Sequence, residues 1–196
     1  MPKRVVIKGP KNRILDDFFK VDEVQLSFEK FDGSMSEVVR RLNFERGDSV
    51  AALLHHRERD AVVLVNQFRY PTYEKGPGWI TEIVAGMIDE GEDPEVAMRR
   101  EIVEETGHLV EQLVHISDFY LSPGGSSERV FLYCAEIAGA GPEHKGGGVA
   151  AENEDIRLLE LPTAEAFGQL DRGDIHDAKT IVALMWLRAK LGSEGG

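Results

Sequence analysis

From Val21 to Phe31 the chain alternates, with Val24, Leu26 and Phe28 on one side and Gln25, Ser27 and Glu29 on the other. This period of two predicts a half-buried strand. Asp32-Gly33 is a hairpin turn signal, and a second strand is expected from about Ser36 to Phe44. Ahead of this hairpin, Met1 to Asp16 reads as basic and weakly structured, with one short strand at Val5–Ile7. Ser49–Leu54 and Ala61–Phe68 are apolar runs of strand length flanking a polar turn, His55 to Asp60. The two histidines of that turn lack a Cys or Asp at ligand spacing and are expected at the surface. Trp79–Ala85 predicts a further strand, as do Leu113–Leu121, Arg129–Ile137 and Ile156–Leu161, and Ser122–Glu128 is a loop by its Pro, Gly and Ser content.

The period lengthens to 3.6 between Asp93 and Gly107. Asp93 reads as the N-cap, Pro94 as the first helical residue and Gly107 as the residue that ends the helix. Val96, Met98, Ile102 and Val103 fall on a broad side expected to face a core. Thr163 is expected to cap a short helix carrying Ala166, Phe167 and Leu170, and Asp177 a last helix carrying Ile181, Leu184, Met185 and Leu187. Ala138 to Ala151, with Gly146-Gly147-Gly148 at its centre, predicts a mobile loop, either an insertion or a binding loop. Strands outnumber helices, so the fold class is α+β with helices on a mixed sheet. The expected organisation is an N-terminal extension over residues 1–47 and a main domain over residues 48–196.

Composition sets bounds on this picture. The 196 residues can bury a sizeable core, and 42% hydrophobic with 30% charged residues is ordinary for a globular domain. A net charge of −12 argues against nucleic acid or an anionic membrane as partner. An anionic small molecule then needs local cations or a metal to enter. Cys134 is the single cysteine; it lies in an apolar run, where a buried thiol is expected. With no secretory leader pattern and no apolar run of about 18 residues, the chain reads as cytoplasmic.

Charge is concentrated on the 94–106 helix. Glu101 and Glu105 are an i, i+4 pair with Glu104 beside them, and Arg100 is the close cation. A solvated acidic face is the usual meaning of such a run. The alternative is a site for a hard divalent cation, which takes carboxylates, waters and substrate phosphate. The spacing bears on this choice. Gly86, Glu92, Arg100, Glu101, Glu104, Glu105 and Gly107 fall in register with Gly-x5-Glu-x7-Arg-Glu-U-x-Glu-Glu-x-Gly-U, and this resembles the Nudix box. The final aliphatic position departs, being His108. The resemblance implies an α/β/α sandwich and an Mg²⁺-dependent hydrolase, or Mn²⁺ in its place, with more than one ion per site. It implies Glu101, Glu105 and the Ala85 carbonyl as metal ligands, Glu104 in support, Arg100 orienting the carboxylates and Glu92 pairing back to Arg100.

The runs FDGSMSEVVRRLNFERG, QFRYP, SPGGSSE and AENEDIRLLEL extend the likeness to the ADP-ribose pyrophosphatase branch, whose proline sixteen residues past the box glycine matches Pro123. GDP-mannose hydrolases share the SPGG and GGGV…EDI runs. The resemblance therefore implies cleavage of ADP-ribose to AMP and ribose 5-phosphate, with GDP-mannose or another nucleoside diphosphate sugar as the alternative. A non-catalytic nucleotide-sugar sensor is the rival from another class. Glu152 would be the general base and Glu154 a late-arriving metal ligand or an alternative base, Arg69 a phosphate contact, and Glu82 and Glu128 hydrogen-bonding partners of sugar or adenine. Phe18 and Arg41 would reach the neighbouring subunit's substrate in a homodimer with swapped hairpins. Without the resemblance, Arg69 reads as half of an ion pair, Glu128 as a partner of Arg129, and Phe18 as part of its own core.

Overall fold

The structure is a computed structural model that describes residues 3–110, 112–138, 141–144, 146–148 and 155–194. The chain divides into two compact units, Met1–Asp48 with Tyr120–Arg129, and Ser49–Phe119 with Val130–Gly196.

The first unit is built on an antiparallel sheet of three strands, β1 (Val5–Asp16), β2 (Lys20–Phe28) and β3 (Val39–Glu45), in the order β1-β2-β3. The expected hairpin is β2–β3, with Val24 opposite Arg41. Among the described residues the segment ahead of this hairpin is not weakly structured, and the short strand expected at Val5–Ile7 continues to Asp16. It is the 12-residue β1, whose cations bind carboxylates on the neighbouring strand: Arg13 and Lys11 both reach Asp22, at 2.7 and 2.9 Å. The loop after Tyr120 closes on the end of β3, where the Phe44 N–H donates to the Gly125 carbonyl at 2.8 Å and Asn43 Nδ2 to Ser127 Oγ at 2.9 Å.

The second unit is a mixed sheet between helices. β4 (Ser49–His56) and β5 (Ala61–Phe68) are central, β9 (Arg129–Ile137) runs parallel to β4 from Ser49 opposite Val130 to His56 opposite Ile137, and the order is β10-β5-β4-β9-β8, with β8 Gln112–Tyr120 and β10 Arg157–Pro162. Alternation along β4 and β5 feeds both faces. Val50, Ala52, Leu54, Val63 and Val65 pack with Ala97, Met98 and Ile102 of α2 (Pro94–Thr106). Ala51, Leu53, Val62 and Leu64 pack with Ala166 of α3 (Thr163–Arg172) and with Ala183, Leu184 and Leu187 of α4 (Ala178–Glu194). α1 is a single turn, Tyr70–Tyr73. The architecture is the expected α+β class with an α/β/α arrangement. Among the described residues no helix is long and apolar enough to cross a membrane.

Several local expectations are corrected. β4 continues through His55 and His56, which are buried, and the turn begins only at Arg57; the His56 ring accepts the Arg59 N–H. Trp79–Ala85 is two strands. β6 (Trp79–Glu82) pairs with β5 and β7 (Val84–Met87) with β4, breaking at Ile83. Val96 and Met185 are exposed, their places in the core taken by Ala97 and Ala183. Thr163 is the first residue of α3 and caps nothing, whereas Asp177 caps α4 by accepting the Thr180 N–H at 2.9 Å.

Candidate active site

Everything at the box begins with how α2 is started and stopped. Asp93 accepts the Glu95 N–H at 2.9 Å, satisfying an orphan donor of the first turn. Gly107, at φ 74°, closes the helix through its N–H to the Val103 carbonyl. These two caps fix the rotation of the helix. Met98 and Ile102 then enter the core, and Arg100, Glu101 and Glu104 line up beside the β7 strand.

Arg100 gathers the acidic groups. Its Nε and Nη2 donate to the two Glu92 oxygens at 3.1 and 3.0 Å, its Nη1 to Glu101 at 2.7 Å and Glu104 at 3.3 Å, and Nη2 also to the Met87 carbonyl. The pairing depresses the Glu92 carboxyl below its ordinary value, chiefly through the Arg100 hydrogen bonds, and raises Arg100 in turn. Glu92 further closes its own turn by accepting the Asp89 N–H at 3.1 Å. Glu105 is buried at 3% exposure on the same helix.

Gly86 lies against this group. A Cβ at residue 86 would overlap the Glu101 carboxylate, so the glycine opens the space that the carboxylate occupies. The donor set of Glu101, Glu104, Glu105 and the Ala85 carbonyl is all oxygen, which suits a hard cation in kind. The cradle at Gly86 fits a ligand role for Glu101. Among the described residues, no three His, Cys, Asp or Glu side chains already converge as a cation cage.

Arg69 and Glu82 meet in the same unit. Arg69 Nε donates to Glu82 Oε1 at 2.7 Å, and Glu82, 4% exposed, has Lys179 at 3.5 Å. Lys179 was not singled out in the sequence. It lies far along the chain on α4, where Asp177 also holds it at 2.6 Å, and a single lysine in the first turn of a helix carries no local signal. In the first unit, Glu128 is buried and pairs with Arg46 at 3.7 Å, and Arg129 pairs with Asp48 at 3.1 Å. Phe18 is 83% exposed and stacks edge-on with Phe19, which excludes a place in its own core. Arg41 donates to the Arg40 carbonyl at 2.9 Å. Glu152 and Glu154 lie outside the described residues. Cys134 is buried, and burial pushes its thiol up to about 11.

His108, the departure from the box pattern, is buried beside the helix end with its Nδ1 3.2 Å from Thr106 Oγ1. Burial holds its protonation below the ordinary value of 6.5. A neutral imidazole thus fills an aliphatic position.

Residues 45–184 match the family model for the NUDIX domain. The GDP-mannose pyrophosphatase of Cronobacter sakazakii is 39% identical over 185 residues, covering 92% of this chain and 94% of its own. That of Pectobacterium atrosepticum is 37% identical over 176 residues, covering 89% of each. A crystal structure of an ADP compounds hydrolase superposes with a TM-score of 0.73 over 98% of this chain and 96% of its own, at 22% identity, a likeness of fold.

Proposed function

This chain belongs to the Nudix family, and from that premise we propose that it hydrolyses the pyrophosphate bond of a nucleoside diphosphate sugar, with GDP-mannose as the preferred substrate and Mg²⁺ as cofactor. The observation that carries the reaction is the Arg100 cluster, which holds Glu101 and Glu104 on the face shared with Glu105 and against the Gly86 cradle. The choice of sugar is supported by relatives that match along nearly the whole chain.

Glu101, Glu105 and the Ala85 carbonyl would hold the cation, with Glu104 in support. Bound there, it supplies charge neutralisation at the pyrophosphate and a more acidic attacking water. The remaining steps belong to the protein. Arg100 keeps the carboxylates from splaying apart. Arg69 offers its remaining N–H groups to a phosphate, and Glu82 fixes the plane of that guanidinium. Glu152 or Glu154 accepts the proton of the attacking water. Water oxygen adds to one phosphorus, the bridging P–O bond breaks, and the products are GMP and mannose 1-phosphate.

ADP-ribose is the second reading, favoured by Pro123 sixteen residues past the box glycine. Phosphate released by added phosphatase from GDP-mannose, ADP-ribose, ADP-glucose and NADH, each with Mg²⁺, separates the readings. GDP-mannose is expected to lead in kcat/KM by about tenfold or more. A lead for ADP-ribose replaces the substrate, and tight binding with no turnover of any compound makes the protein a sensor. We propose in addition a homodimer, supported by Phe18 and by Phe31, whose ring is fully exposed at the first unit's surface.

A further inference from the structure

The glycine-rich run ahead of Glu152 does not behave as a free insertion where it is described. It lies along the C-terminal end of α2 as a strap. The Glu143 and His144 N–H groups both donate to the Gly107 carbonyl at 3.0 Å, the Gly147 N–H to the Glu105 carbonyl at 2.7 Å, and the Gly148 N–H to the Glu104 carbonyl at 3.2 Å. The approach is a close backbone contact. A Cβ at residue 146 would come within 2.5 Å of the Thr106 carbonyl carbon and 2.6 Å of the Glu105 carbonyl oxygen, and one at residue 107 would overlap the His144 carbonyl. These are backbone atoms, which cannot swing aside as a side chain can.

The helix end has a specific need for such a contact. Carbonyls of a last turn are left without intrahelical partners and carry the negative end of the helix dipole. In α2 this turn contains Glu104 and Glu105, follows Glu101, and has no Lys or Arg of its own. The strap supplies four N–H dipoles where the helix sequence supplies no cation. It also fixes the backbone of the residues whose carboxylates face the proposed metal.

We propose that the strap formed by residues 143–144 and 146–148 is a positioning device for the Glu104–Glu105 turn, that Gly146 is the positioning residue permitting it, and that strap docking and cation binding reinforce each other. The inference rests on the Nudix reading of those carboxylates. Its logic is shared ordering. A cation needs the turn held in one geometry, docking already holds it there, and whichever binds first lowers the ordering cost of the other. Reciprocity then requires the cation to tighten the strap by the same factor.

The test uses the full chain. In the wild type, amide exchange at Gly147 and Gly148 is measured by NMR with and without Mg²⁺, and protection is expected to rise with Mg²⁺. Gly146→Ala is expected to speed exchange at both amides and weaken Mg²⁺ binding in calorimetry by about tenfold. It should lower kcat by a similar factor while KM moves less than about threefold. Gly192→Ala, in open space on α4, is the control and should change none of these. Faster exchange in Gly146→Ala with unchanged Mg²⁺ affinity and kcat overturns the proposal and leaves a passive cap. If Gly146→Ala does not fold, the wild-type arm decides, because protection indifferent to Mg²⁺ overturns the coupling. Absence of turnover on every nucleotide sugar would fail the proposed function, while the exchange and Mg²⁺ arms would still decide the strap.

Discussion

Arg100 spends all of its hydrogen-bonding capacity inside the protein. A guanidinium has five N–H donors, and here they meet five acceptors on Glu92, Glu101, Glu104 and Met87. It is therefore a scaffold for the carboxylates and has none left for a phosphate. Glu105 stands outside this set, and Glu105→Gln is expected to cut turnover at least about a hundredfold, some 2.7 kcal/mol of barrier, with a melting temperature equal to or above that of the wild type without metal. Turnover within about tenfold of the wild type would remove Glu105 from the ligands. His108 gives a pH signature. Its folded pKa is depressed by burial, and Glu160, His56 and Arg59 are the charged or titratable groups around it. The unfolded chain thus takes up a proton near pH 6.5 that the folded chain refuses, so stability is flat above about pH 7 and falls as pH drops below the ordinary histidine value. His55, also depressed by burial, adds to the same limb. His108→Leu should make the decline of melting temperature between about pH 7 and 5 shallower, and an unchanged slope would refute the assignment. The box was legible in the sequence because its chemistry dictates identity at fixed spacing. The partners of Arg69 and Glu128 were not, because an ion pair between surface arginine and a distant glutamate leaves no periodic trace.

At the scale of elements, α2 was legible to the residue because Asp93, Pro94 and Gly107 act locally, through backbone groups within one turn. The β6–β7 break was not, because it is decided by two different neighbours: β5 recruits Trp79–Glu82 and β4 recruits Val84–Met87. Between them the Ile83 N–H leaves the ladder and is taken by Thr180 Oγ1 of α4 at 2.8 Å, a buried bond, while Thr180 Oγ1 donates to Asp177. Thr180→Val keeps the shape and strands that N–H, so it should cost about 1–3 kcal/mol in denaturant unfolding; a loss under about 0.5 kcal/mol would show the break held by other means. β1 was legible only as a short strand at Val5–Ile7, and its continuation to Asp16 was missed for a related reason. Its exposed, cation-rich face gives no hydrophobic alternation, and its pairing rests on main-chain bonds to β2 and on Asp22. That carboxyl is pulled down to about 2, first by Arg13 and then by Lys11, so its contribution is present above the ordinary carboxylate value and is lost as pH falls through about 2.

For the whole molecule, the layered α+β architecture followed from alternation on strands and caps on helices, while the grouping of the Tyr120–Arg129 loop with the N-terminal sheet needed coordinates. Assembly is the open property at this scale. If the exposed rings of the first unit meet a second copy, light scattering at assay concentration should give twice the 21.8 kDa chain mass, and Phe18→Ala should raise KM with little change in folding. A fully active monomer would return Phe18 to a solvent role. The parallel pairing of β4 with β9 has a consequence for biosynthesis. Val130 follows its sheet partner Ser49 by roughly eighty residues. At about 5–20 residues per second of synthesis, β4 waits some 4 to 16 s outside the ribosome before its central neighbour exists. During that interval a strand that is buried along its whole length in the folded protein is a nascent segment with one flank unclosed, and protection by chaperones matters there more than at any later moment in the life of the chain.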